Sequence, residues 1–152
     1  MRTPHLRVWI ILIFLSIPVV ASAQAKKVGI GIILGQPTGI SAKYWLSHTS
    51  AIDVAAAWQL LPKGSFYVHA DYLYHIYGLF PVKAGELPLY LGIGGSATIE
   101  ANPTVSLRFP VGIEYLFPKI PLDAFLEIGL GVSLYPATQF VGTGGIGIRY
   151  DF

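Results

Sequence analysis

The chain has 152 residues, of which 53% are hydrophobic and only 12% are charged, so few polar side chains are available to cover a water-facing surface. Ten Lys and Arg accompany eight Asp and Glu, and the two signs balance once Arg2 and Arg7 are set aside. Such a balance gives no support to nucleic acid or an anionic membrane surface as a partner. Cysteine is absent, which excludes disulfides, thiolate metal sites and a cysteine-linked lipid anchor.

The first 23 residues have the three parts of a secretory signal peptide. Two arginines precede the apolar run VWIILIFLSIPVV, and the small residues ASA then provide a cleavage site. A single membrane anchor is disfavoured, because the run is short, contains a proline and ends in a cleavage-type tripeptide. We therefore expect a signal peptide over residues 1–23, cleavage after Ala23, and one exported domain over residues 24–152.

From residue 27 onward, segments of alternating polarity are separated by turn-rich breaks. The breaks read GQPTG, SHTS, LPKGS, GLFPVKAGELP, ANPT, FPKIP and YPAT, compositions that favour turns. Most segments show period-two alternation without a competing helical period. The sequence predicts an all-β fold, an eight-stranded antiparallel up-and-down barrel whose closure removes free edges. The predicted strands span residues 27–34, 39–47, 51–60, 65–77, 88–100, 104–117, 122–134 and 139–152.

The two faces of these strands differ in polarity. In the sixth strand the odd positions from Val105 to Phe117 are apolar, whereas Arg108 and Glu114 lie at even positions. Every charged residue after the signal peptide falls on the polar face, in a turn or at the N-terminus. Lys43 and Asp53 are expected to face one another across the second hairpin with His69 and Asp71 on the next strand, and a second cluster is expected to join Glu114, Glu127 and Arg149. We predict that this network of side chains on the polar face fills the barrel lumen; its members are Lys43, Asp53, His69, Asp71, Arg108, Glu114, Glu127 and Arg149.

Alternation alone allows two barrels. A soluble lipocalin-like barrel would place the apolar face inside, and an outer-membrane barrel would place it outside. The polar face is rich in glycine, which suits the narrow interior of an eight-stranded barrel. Aromatic residues of the apolar face gather near the strand ends, as in the girdles of membrane barrels, so the membrane barrel is favoured. The predicted girdles contain Trp58, Phe66 and Phe140 at one rim and Tyr74, Tyr115, Phe117, Tyr150 and Phe152 at the other.

The final stretch, GGIGIRYDF, resembles the C-terminal insertion signal of bacterial outer-membrane barrels through Gly147, Tyr150 and Phe152. This resemblance implies recognition by the outer-membrane assembly machinery. With LGQPTGISAKYWLS, VHADYLYH, LPLYLGIGG and PLDAFLEI, the chain resembles a family of small outer-membrane β-barrel proteins, including spirochaetal members, of OmpA/OmpX-like architecture. Most members have no defined activity, so the resemblance implies the fold and an outer-membrane location but no mechanism.

The lengths of the connections bear on function. With both termini in the periplasm, the connections on the outer side are GQPT, LPKG, ANP and PAT, which are much shorter than the loops of OmpX-like adhesins. Eight strands enclose little space, and paired charges are expected to close it. We therefore expect a structural or membrane-anchoring role without catalysis or cofactor, in a monomer. Its expected partners are outer-membrane lipid and, during biogenesis, the barrel assembly machinery, with no role for nucleic acid.

Two other functions stay open, a narrow channel and a lipid A-modifying enzyme. His48 and Ser50 have the spacing of a catalytic pair, but they fall in a predicted periplasmic turn without an acidic partner on the outward face. A metal site is not predicted. His69, Asp71 and His75 share one predicted inward face, but the two histidines lie about 20 Å apart along a strand, too far for one ion to bridge.

Overall fold

The computed structural model describes residues 26–59 and 64–152, and the predicted signal peptide with its cleavage site lies outside them. No helix with the length and apolar character needed to cross a membrane occurs among these residues. Their regular structure consists of strands, which are β1 (Val28–Gln36), β2 (Gly39–Trp45), β3 (Ser50–Gln59), β4 (Ser65–Ile76), β5 (Leu89–Ile99), β6 (Thr104–Leu116), β7 (Leu122–Tyr135) and β8 (Gln139–Asp151).

The strands pair antiparallel in chain order, and β1 pairs with β8 to close the barrel. The predicted all-β, eight-stranded up-and-down barrel is therefore confirmed. Strand bounds differ from the predicted ones by at most two residues. β1 extends to Gln36 because Gln36 still pairs with Gly144 across the closing seam. β2 ends before Ser47, because the Ser47 hydroxyl accepts the backbone N–H groups of Thr49 and Ser50 and forms the turn.

The barrel is apolar outside and polar inside. On β6, Val105, Leu107 and Phe109 are exposed, whereas Arg108 and Glu114 are almost completely buried. Burying charges while exposing large apolar side chains opposes the hydrophobic effect in water. The arrangement suits a lipid environment, in which the outward side chains are solvated by acyl chains. Several apolar residues are nevertheless buried on the inner side, and five of them form one cluster, namely Ile33, Ala55, Leu73, Tyr90 and Phe125.

Aromatic side chains lie on the outward face at both ends of the barrel. At the end formed by the β3–β4 and β7–β8 connections, Trp58 meets Phe66 edge to face with ring centroids 6.2 Å apart, and Phe140 is exposed. The opposite end, which holds residues 26 and 152, is called the terminal end below. There Tyr150 and Phe152 form an edge-to-face pair with centroids 5.0 Å apart. The remaining girdle candidates at that end are Tyr74, Tyr115 and Phe117, and the latter two form a pair at 4.7 Å.

Glycines on the lumen side let the backbones of β1 and β8 approach closely. A methyl group on Gly31 would overlap the carbonyl oxygen of Ile148 on the neighbouring strand. A methyl group on Gly147 would overlap the ring of Phe125. Neither position on the closing seam therefore has room for a side chain.

Replacing Gly31 by alanine should therefore lower the free energy of unfolding by ~1–3 kcal/mol, because the β8 backbone must move away. The matched control is Gly142→Ala on β8, where an added methyl group has no neighbouring atom within 4 Å. That variant should change stability by no more than about 0.5 kcal/mol. Urea titration of the two refolded variants measures both effects, and equal effects would contradict the close approach at the seam.

Candidate functional site: the charged lumen

Arg149 on β8 is the centre of a buried network. Its Nη1 donates to Asp53 Oδ1 at 2.8 Å and to Ser41 Oγ at 3.1 Å. Its Nε lies 3.1 Å from both carboxylate oxygens of Asp123, and its Nη2 donates to Glu114. These partners belong to β2, β3, β6 and β7, so one guanidinium joins five strands. Charge-assisted bonds of this kind are shorter and stronger than neutral ones.

Lys43 on β2 bonds a carboxylate on the opposite wall of the barrel. Its Nζ donates to Glu114 Oε1 on β6 at 2.6 Å. β2 and β6 are four strands apart in a closed ring of eight, so this ion pair spans the lumen. The ring of Trp45 lies next to this ion pair, on the side toward the terminal end. Its centroid is 4.9 Å from Lys43 Nζ and 4.5 Å from the centroid of the His75 ring.

A second group of side chains surrounds Arg108 on β6. Its Nε donates to Asp71 Oδ2 at 2.7 Å, its Nη1 donates to Thr143 Oγ1 at 2.5 Å, and its Nη2 donates to Glu127. The Tyr90 hydroxyl also donates to Glu127, at 2.8 Å. Side chains from β4, β5, β6, β7 and β8 therefore meet around this guanidinium.

His69 connects the two groups. Its Nε2 lies 3.4 Å from Asp53 Oδ2 and 3.7 Å from Asp71 Oδ2. Asp53 and Asp71 are direct cross-strand neighbours, and like charges in that position repel. Arg149 and Arg108 each bond one of these carboxylates, and the imidazole lies between them. The lumen therefore contains one continuous network with two guanidinium centres.

All eight predicted lumen residues are buried, but the structure corrects the predicted grouping in two places. Lys43 lies opposite Asp53 in the β2–β3 register, yet its ammonium bonds Glu114. Glu127 was grouped with Arg149, and this was wrong, because Glu127 bonds Arg108. The register explains the difference, since Asp123 is the residue of β7 directly opposite Arg149.

Five members of the network were absent from the predicted set, namely Ser41, His75, Tyr90, Asp123 and Thr143. Asp123 lies on the predicted polar face, and its position at the start of β7 matches that of Arg149 near the end of β8. Tyr90 lies two residues from the inward Gly92 of β5, so the alternation of the strand already predicts that its ring faces inward. His75 also shares the inward parity of β4, and its Nε2 lies 3.1 Å from Glu114 Oε2.

The network includes three residues that together offer possible metal ligands. Asp53, His69 and Asp71 can each supply one ligand atom, and these atoms lie within 4.8 Å of one another. His75, which shares the predicted inward face with His69 and Asp71, lies outside this set and contacts Glu114 instead. Both carboxylates already bond a guanidinium, so ion pairing accounts for the cluster.

The predicted turn residues His48 and Ser50 lie at the terminal end. His48 stacks on Tyr77 with ring centroids 4.4 Å apart, and the Tyr77 hydroxyl donates to the His48 carbonyl oxygen at 2.9 Å. Burial raises the pKa of the Tyr77 phenol, so this hydroxyl keeps its proton and remains a donor. The Ser50 hydroxyl lies 2.7 Å from that of Ser47. These contacts stabilise the turn rather than align a nucleophile with a base.

A comparison with solved structures finds a similar fold in the N-terminal β-barrel domain of Pseudomonas aeruginosa OprF. The TM-score is 0.61 at 14% sequence identity, over 83% of this chain and 96% of that chain. No protein-family model matches the sequence, and no curated protein gives a significant match. The resemblance to spirochaetal members therefore stays a prediction. The closed ring of eight antiparallel strands and its likeness to the OprF domain show that the chain has the OmpA-like eight-stranded barrel fold.

Proposed function

We propose that the chain is an integral outer-membrane β-barrel protein with a structural or membrane-anchoring role, a closed lumen and no catalytic activity. The apolar outward face and its aromatic rims support the membrane location, as does the fold shared with the OprF domain. In a closed barrel every strand is paired on both sides, so its backbone N–H and C=O groups are hydrogen-bonded within the protein. Lipid offers these groups no other partners. Its proposed partners are outer-membrane lipid and, during biogenesis, the barrel assembly machinery.

The ion pair between Lys43 and Glu114 is the main support for the proposal that the lumen is closed, because it joins opposite walls of the barrel. An ion moving along the axis would have to separate this pair and displace Arg149 from its carboxylates. Beside Arg108, a cavity of about 10 Å³ opens between Tyr67 and Thr143, which is room for about one water molecule. These features support a plug rather than a continuous aqueous path.

The test uses protein isolated from the outer-membrane fraction and identified as folded by a heat-dependent shift in SDS gel mobility. In planar lipid bilayers, the native protein should show no stable open conductance level. The double variant Lys43→Met/Glu114→Gln removes the pair across the lumen without leaving either charge alone, so we expect ion passage to appear or increase.

The matched control is Lys27→Met/Glu86→Gln, which removes one charge of each sign from exposed positions at the terminal end and should leave the bilayer silent. A large, stable conductance in the native protein would contradict the closed lumen. Recovery of the protein from the soluble periplasm, without a heat-dependent shift, would contradict the membrane location.

A further inference from the structure

The connection between β4 and β5, residues 77–88, exposes a cluster of large apolar side chains. Leu79 is 52% exposed, Phe80 43% and Val82 39%. The β6–β7 connection, residues 117–121, lies at the same end of the barrel and exposes Phe117 and Ile120. Connections that face water are usually polar, and contiguous exposed apolar surface usually marks an interaction site.

The longer connection is fastened to the barrel beside its outward face. Glu86 and Leu116 exchange backbone hydrogen bonds of 3.2 and 2.9 Å. The hydroxyl of Tyr115, an outward residue of β6, donates to the Ala84 carbonyl oxygen at 2.8 Å. The segment around Ala84 is therefore held beside the outward face at the end of β6, and its exposed apolar side chains lie beyond the strand ends.

Lysines accompany the apolar residues in both connections. Lys83 follows Val82 directly, and Lys119 precedes Ile120, and both lysines are exposed. Glu86 is the acidic residue of the two connections. Apolar side chains flanked by lysines are typical of segments that lie in a membrane interface, because the long lysine stem stays in apolar surroundings while the ammonium reaches the headgroups. These two connections therefore carry a local excess of positive charge, although positive and negative residues balance over residues 24–152.

We propose that these two connections form a lipid-binding collar on the leaflet that meets the terminal end. In this collar Leu79, Phe80 and Val82 insert at the boundary between headgroups and acyl chains, and Lys83 and Lys119 bind anionic headgroups. The collar would fix the depth and tilt of the barrel, because it adds a polar-apolar boundary at a defined height. The inference rests on the proposed membrane location, because the collar can bind lipid only if the outward face of the barrel lies in a membrane.

Single-cysteine variants test the insertion, because the chain has no cysteine of its own. Nitroxide labels are attached to Phe80→Cys, to Ile128→Cys on the outward face of β7, and to Asn102→Cys in the β5–β6 connection. The proteins are refolded into vesicles of phosphatidylcholine and phosphatidylglycerol, and collisions with oxygen and with an aqueous nickel complex are compared. Labels at positions 80 and 128 should collide more often with oxygen than with the nickel complex, as expected in lipid. The label at position 102 should collide more often with the nickel complex, as expected in water.

The three positions separate the failure of this inference from that of the proposed function. A label at position 80 that favours nickel while position 128 favours oxygen would overturn the collar and leave the membrane barrel intact. It would then indicate that the apolar cluster faces the aqueous compartment, where a soluble protein could cover it. A label at position 128 that favours nickel in the folded protein would overturn the membrane location itself.

The lysines are tested by the selectivity of the folded protein for spin-labelled phosphatidylglycerol over phosphatidylcholine. Lys83→Gln and Lys119→Gln should each reduce this selectivity about fivefold, whereas Lys83→Arg keeps the charge and should retain it. Unchanged selectivity in both glutamine variants would overturn headgroup binding by the collar.

Discussion

Replacing Arg149 by methionine should lower the free energy of unfolding by ~3–5 kcal/mol, the usual cost of leaving buried charges without their partner. The substitution keeps an unbranched apolar stem that reaches about as far as arginine Nε but removes the guanidinium that bonds Asp53, Glu114 and Asp123. Those three carboxylates would remain buried, and the remaining contacts with Lys43, His75 and His69 reach only Glu114 and Asp53. Urea titration of the barrel refolded into vesicles measures the loss.

Two comparisons separate the network from a general effect of removing a cation. Lys27→Met removes an exposed lysine and should change stability by no more than about 0.5 kcal/mol. Combining Arg149→Met with Glu114→Gln should cost less than the sum of the single changes, because the two side chains are coupled. An effect of Arg149→Met as small as that of Lys27→Met would show that the network does not stabilise the barrel.

An arginine on the outward face should destabilise the protein according to its depth in the membrane. Ile128 lies midway along β7 and is 59% exposed, and Leu134 lies near the end of the same strand and is 52% exposed. In vesicles, Ile128→Arg should lower the free energy of unfolding by about 2–4 kcal/mol, and Leu134→Arg by about 0–1 kcal/mol. The physical reason is that the charge near the rim can reach the headgroups, whereas the charge at mid-depth meets hydrocarbon.

This pair of variants also distinguishes the two barrels that alternation alone allows. In a barrel whose outward face meets water, both arginines would be solvated, and neither change would destabilise by more than about 0.5 kcal/mol. Since Ile128 and Leu134 have similar exposure on the same strand, a difference between them reports depth in lipid rather than packing.

The strands, their order and their faces were predictable from the sequence, because each depends on local patterns. Alternation of period two specifies which side chains share a face, and the turn-rich breaks limit the strand ends. The prediction that Lys43 lies opposite Asp53 needed only the short hairpin between β2 and β3, and the register agrees.

The partners across the lumen were not predictable in the same way. Which side chains meet there depends on the stagger of the strands around the ring and on the reach of long side chains, and neither is encoded in a single hairpin. Lys43 therefore bonds Glu114 on the opposite wall rather than its cross-strand neighbour. Glu127 was assigned to the wrong arginine for the same reason, because it lies four residues beyond Asp123 on β7. The fold followed from the pattern, and the network required the three-dimensional arrangement.

The location of Arg149 on β8 gives the network a role in assembly. Asp123 and Glu114 lie on β7 and β6, on the same side of the closing seam as Arg149, whereas Asp53 lies on β3, across that seam. Asp53 therefore lacks its guanidinium until β8 has joined β1. A slip of β8 by one residue would turn Arg149 toward lipid, and a slip of two would move it by about 7 Å along the strand, away from Asp123. Misregistered or incompletely closed forms therefore keep buried charges without their partners, so the network favours closure of the barrel in the native register.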